Sequence, residues 1–117
     1  NVTNMEQMFH GCDFFIQDLN NWNVSNVTNM KAMFINCCDF NQSLNNWNVS
    51  NVKEMDMMFD GCENFNQPLS NWDVSNLTNM IKIHTYWYLY VYSCIFWYVC
   101  CTYCSCILSC VYFVSIL

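Results

Sequence analysis

Apolar residues in the first 80 positions recur in a fixed order. Val27, Met30, Met33, Phe34 and Cys37 are spaced three, three, one and three apart, which is the stripe of an amphipathic helix about ten residues long. Val2, Met5, Met8, Phe9 and Cys12 repeat the spacing, as do Val52, Met55, Met58, Phe59 and Cys62. Ser25 or Asn26 stands before the stripe as an N-cap, its side-chain oxygen free to accept from a first-turn amide. Gly11 and Gly61 fall near the other end, where a left-handed residue costs glycine least. So short a helix depends on its neighbours for stability.

After the stripe come Phe15, Phe40 and Phe65, then Gln17, Gln42 and Gln67, then Leu19, Leu44 and Leu69. Trp22-Asn23-Val24, Trp47-Asn48-Val49 and Trp72-Asp73-Val74 follow, alternating apolar and polar residues with the period of a strand. Cutting the chain before Asn1, Asn26, Asn51 and Asn76 aligns all these positions at a period of 25 without insertion or deletion. Residues 1–80 therefore hold three complete units and the start of a fourth. The expected fold is an α/β repeat solenoid of leucine-rich-repeat type, with one short helix and one short parallel strand per unit. Equivalent strands would lie about 4.8 Å apart, each unit covering the one before it. Its expected core in the middle unit is Val27, Met30, Met33, Phe34, Cys37, Phe40, Leu44, Trp47 and Val49.

Residues 81–117 share none of this. All seven Tyr lie at or beyond Tyr86, whereas every Asn lies at or before Asn79 and every acid at or before Asp73. Residues 85–117 form an uncharged stretch of 33 positions, longer than the roughly 20 that span a bilayer. Two readings stay open for it. One is a membrane anchor, with Lys82 at its flank and Trp87, Tyr88 and Tyr90 at the headgroups. The other is out-of-frame translation, suggested by the abrupt end of the repeat and the crowding of Cys100, Cys101, Cys104, Cys106 and Cys110. The chain begins at Asn1 in mid-repeat without an initiator Met, and so reads as a fragment.

The words Asn-Trp-Asn-Val-Ser-Asn-Val-Thr-Asn-Met (residues 21–30), Met33-Phe34 and Phe40-Asn41-Gln42 resemble the BspA-like leucine-rich-repeat surface proteins. Tandem repeats of that family read W-N/D-V-S-N-V-x-x-M-x-x-M-F-x-x-C-x-x-F-N-Q-x-L. Residues 1–80 carry the resemblance. It implies a cell-surface or extracellular protein, often lipid- or membrane-anchored, with adhesion or host interaction in some members and no typical enzymatic activity. Departures are Phe14-Phe15-Ile16-Gln17 in the first unit, where the family word is Phe-Asn-Gln, and Lys53-Glu54 in the third, where it is Thr-Asn.

Nine acidic residues against three basic ones, a formal charge of -6, argue against a nucleic-acid or anionic-membrane surface. Cys12, Cys37 and Cys62 form a ladder whose readings are a metal or disulfide site, or a small buried residue closing each stripe; the second is favoured, since cysteine packs as a small hydrophobe. Asn20, Asn21, Asn45, Asn46 and Asn71 suit stacked amide ladders. Glycosylation sequons begin at Asn1, Asn23, Asn26, Asn41, Asn48 and Asn76. The acids, scattered from Glu6 to Asp73, lack the spacing of a calcium loop and read as a solvated face. His10 has no catalytic companion, and Cys101-x-x-Cys104 is the only spacing that suggests metal or redox chemistry.

The sequence thus leads to a non-catalytic cell-surface repeat module, adhesive toward a protein or glycan of a host or neighbouring cell, with no catalytic residue, metal or cofactor. The alternative is a structural spacer or coat element with no specific ligand. Membrane attachment would run through residues 85–117.

Overall fold

The computed structural model describes residues 1–79. Both readings of the apolar tail, and its Cys-x-x-Cys spacing, lie outside the described residues.

Between residues 5 and 12 the backbone amides alternate between two kinds of partner. Met5, Gln7, Phe9 and Gly11 donate to the carbonyls of Asn29, Lys31, Met33 and Ile35 in the next unit, at 2.9–3.0 Å. The intervening Met8, His10 and Cys12 donate back to Met5, Gln7 and Phe9 of their own unit. One unit on, Met30, Ala32, Phe34 and Asn36 reach Glu54, Asp56, Met58 and Asp60, while Met33, Ile35 and Cys37 turn back to Met30, Ala32 and Phe34.

This segment is a succession of turns, not the helix that the apolar spacing predicts. An α-helix needs every residue right-handed and every amide bonded within the segment. Here two residues per unit are left-handed: Gln7, Ala32 and Met57 at φ 54–56°, and Gly11, Asn36 and Gly61 at φ 58–76°. A left-handed residue reverses the local path. Every second amide is thereby released to bond the neighbouring unit, and what a helix would keep inside one unit is spent on joining two.

The Trp-Asn/Asp-Val segments are likewise not strands. Parallel pairing falls instead at the head of each unit, as single bridges linking Asn4 to Asn29, Asn29 to Glu54 and Glu54 to Asn79. After the tryptophan the chain turns, and the Asn23 carboxamide oxygen accepts from both the amide and the hydroxyl of Ser25, at 3.1 and 2.7 Å. Asn48 holds Ser50 in the same way. A short side chain with an oxygen two residues before the amide is what this turn requires, so Asn or Asp stands there.

Side chains from all units meet in one apolar core. Val27, Met30, Met33, Phe34, Cys37, Phe40, Leu44, Trp47 and Val49 are each at most 2% exposed. Within a unit the two phenylalanines stack, Phe34 on Phe40 and Phe59 on Phe65, both with centroids 4.2 Å apart. Between units the rings run in rows: Phe9, Phe34 and Phe59 at 5.4 and 5.6 Å, and Phe15, Phe40 and Phe65 at 5.9 and 5.8 Å. Trp47 lies parallel to Trp72 at 6.4 Å. Offset aromatic stacking adds about 0.5–1.5 kcal/mol per pair to the burial of each ring. In the first unit Val2 and Met8 are half exposed, although their equivalents in the next two units are buried.

Candidate functional site

Polar side chains of each unit reach back to carbonyls of the unit before. Trp47 Nε1 donates to Leu19 O at 2.8 Å, and Trp72 Nε1 to Leu44 O at 2.9 Å. Asn51 Nδ2 donates to Ser25 O and Asn76 Nδ2 to Ser50 O, both at 2.7 Å, so the first residue of a unit reaches the residue just ahead of its equivalent one period earlier. The hydroxyls of Thr28 and Thr78 do the same to Thr3 O and Lys53 O. Forward-directed amides and backward-directed side chains therefore join the first unit to the second and the second to the third from both sides.

The cysteine column belongs to this joinery. Cys37 Sγ donates to Phe9 O and Cys62 Sγ to Phe34 O, both at 2.8 Å, while Cys12 is exposed. Desolvation by burial pushes the Cys37 thiol up to about 11 and the Cys62 thiol up to about 12. Both are therefore protonated donors at neutral pH, whereas nucleophiles and metal ligands are thiolates. Cys12, Cys37, Cys38 and Cys62 are all free thiols, and among the described residues no three His, Cys, Asp or Glu side chains are placed to hold a metal.

The amide ladder expected at Asn20, Asn21, Asn45, Asn46 and Asn71 is mostly displaced to other positions. Asn20 Oδ1 accepts from the Asn46 amide at 3.1 Å, but Asn45 Oδ1 is buried without a partner. The stronger cross-unit amide links involve Asn41, whose Oδ1 accepts from the Asn66 amide at 3.1 Å and from Gln67 Nε2 at 3.0 Å. Asn64 Nδ2 similarly reaches Asp39 Oδ1, and Asn29 Nδ2 reaches Glu6 Oε2. A recurring Phe-Asn-Gln word was the signal for these polar links. Of the sequon residues, Asn76 has its Nδ2 committed to Ser50, and Asn23 and Asn48 have their carboxamide oxygens held by serines.

Acidic side chains sit mainly on the outside, as a solvated face should. Asp56 departs from that expectation, being only 6% exposed. Hydrogen bonds from Ser75 hold the Asp73 carboxyl below the ordinary carboxylate range. His10 is exposed. A shallow, open depression lies beside Gly11, Cys12, Asp13, Phe14 and Phe15. Among its lining side chains Asp13 is the one carboxylate, and there is no Lys, Arg or His. Among the described residues, no helix is long and apolar enough to cross a membrane.

Units of one sequence word, bonded one to the next at a constant interval, define a tandem-repeat protein whose outward side chains form columns one unit apart. The chain belongs to the family described as "Mycoplasma protein of unknown function, DUF285", whose model matches residues 1–87. No curated protein and no solved structure matches the chain.

Proposed function

We propose that the chain is part of a repeat solenoid of the BspA-like leucine-rich-repeat type, serving as a non-catalytic, adhesive module of a cell-surface or extracellular protein. The observation that carries this reading is the repetition of the bonding pattern at an unchanging interval: Thr28, Lys53 and Thr78 amides all accept the same role, donating to Thr3, Thr28 and Lys53. Such a backbone tolerates different residues at its outward positions, and these do vary, as Phe14, Asp39 and Asn64 illustrate. A constant frame with a variable face suits recognition of a protein or glycan on a host or neighbouring cell.

Glycan arrays and binding assays against purified extracellular-matrix proteins, using the folded full chain, test the reading. Saturable binding to a defined ligand is expected. Uniform silence would favour a spacer or coat element instead.

A further inference from the structure

We propose that Phe14 and Ile16 form an apolar anchor, bordered by carboxylates, for a cationic amphipathic segment of a partner protein. The proposal rests on the protein-binding reading above and names the chemistry of the partner.

Phe14 is 86% and Ile16 58% exposed. Exposure at these columns is not confined to the first unit. Their equivalents one and two units on are Asp39 and Asn64, and Asn41 and Asn66, of which Asp39, Asn64 and Asn66 are exposed and Asn41 is half-buried. The column is in register, because Asp39 N donates to Asp13 O at 2.9 Å and Asn64 N to Cys38 O at 3.2 Å. Outward positions that the second and third units fill with polar residues thus carry a phenylalanine and an isoleucine in the first. The polar side chains there make cross-unit bonds, Asn64 to Asp39 and Asn66 to Asn41, which Phe14 and Ile16 cannot accept. Their neighbour Phe15 is instead packed inward on Phe9 and Phe40, so the segment presents one aromatic ring to the core and another to solvent.

Charge decides the partner. The parts of the three units that run beside the anchor, residues 11–20, 36–45 and 61–70, contain Asp13, Asp18, Asp39 and Glu63 and no Lys or Arg. Asp13 shares the open depression with Phe14. An exposed apolar knob within a purely anionic border fits an apolar pocket or stripe flanked by Lys or Arg, as on a basic amphipathic helix, and repels an anionic lipid surface.

The test uses the full chain and fluorescein-labelled amphipathic helix peptides, one of Leu and Lys and one of Leu and Glu, read by fluorescence anisotropy. Binding of the Leu/Lys peptide alone is expected. The double substitution F14D/I16N, which installs the residues of the second unit, should weaken it about tenfold or more with an unchanged circular dichroism spectrum. D13N/D18N should weaken it less and flatten its salt dependence. The proposal is overturned if the Leu/Lys peptide fails to bind, if the Leu/Glu peptide binds equally, or if F14D/I16N leaves the affinity unchanged. Loss of phosphatidylcholine-vesicle binding, or of self-association in sedimentation, in F14D/I16N without any peptide binding would assign the patch to lipid or to a second copy, and would overturn it too. Ligand binding on arrays that F14D/I16N leaves intact would retain the adhesive reading while peptide binding decides the anchor.

Discussion

Gly61 offers a sharp test of how the units are joined. It has φ +76°, and a Cβ there would run into the Asn36 side-chain oxygen and lie 3.2 Å from Asn36 Cα. Gly11, its equivalent in the first unit, has φ +70° but nothing within 4 Å of such a Cβ. Alanine in the left-handed region costs about 1–2 kcal/mol, and about 0.4–1 kcal/mol is recovered from the stiffer unfolded chain. Gly11→Ala should therefore destabilise by about 1 kcal/mol, and by at most roughly 1.6. Gly61→Ala adds the displacement of Asn36, an overpacking cost of about 1–3 kcal/mol, for a total of roughly 2–4 kcal/mol. Urea unfolding followed by tryptophan fluorescence reads the difference; with slopes of about 1–3 kcal/mol per molar, the two midpoints should differ by on the order of 1 M. Asn36 is itself left-handed, at φ 58°, so Asn36→Gly is compatible with its backbone and removes the side-chain obstacle, leaving only the approach to Cα. In that background Gly61→Ala should cost clearly less than in the unaltered chain, approaching the cost of Gly11→Ala. Equal midpoints for the two single alanine variants, or no rescue by Asn36→Gly, would refute the close approach of the second and third units at this point.

Four further outcomes follow from the same structure. Phe34→Ala should cost about 3–5 kcal/mol, because Phe34 is fully buried and stacks on Phe9, Phe40 and Phe59. Phe9→Ala, at a half-buried position, should cost about half as much in the same urea titration; equal costs would contradict the exposure difference. Iodoacetamide at neutral pH should label Cys12 in the folded chain and reach Cys37 and Cys62 only after denaturant is added, as peptide mass mapping would reveal. Because burial raises those two thiols from 9.0 to about 11 and 12, their protonated forms support the fold below pH 9, and stability should decline as pH rises from there through the folded values; a flat alkaline profile would count against it. The depressed Asp73 carboxyl works in the opposite direction, supporting the fold above about pH 3.8 and losing that support as the pH falls below it. Asp73→Asn, the residue of the first two units, should flatten this acid limb in thermal melts.

The hydrogen bonds explain why two residue types unusual in a repeat core are used here. Trp and Cys each bring an apolar body with a single donor, and each places that donor on a carbonyl of the preceding unit. A buried carbonyl left alone would cost about 1–3 kcal/mol. The column positions of Trp47, Trp72, Cys37 and Cys62 therefore contribute burial and satisfy the neighbour's backbone together. In the first unit Trp22 and Cys12 are exposed. The family match over residues 1–87 agrees with the extent of the repeat word and assigns no activity.

Residue identity alone determined which side chains would be buried and at what interval they would recur. Val27, Met30, Met33, Phe34 and Cys37 form an apolar set whichever backbone carries them, because water rejects those groups in any local conformation. The left-handed glycines were legible too, since only their position near the end of each stripe favours that conformation. What tertiary structure alone decided was the destination of the backbone amides. A three-three-one-three spacing satisfies both a helix and a run of tight turns. Gln7, Ala32 and Met57 give no local sign of being left-handed. At Gln7 and Ala32 that conformation accompanies an amide bonded to a carbonyl of the next unit, Lys31 O and Asp56 O, a partner that no single unit contains. The anchor residues Phe14 and Ile16 were visible as departures from the repeat word, but their exposure required knowing that their column faces outward, and that is a property of the joined units.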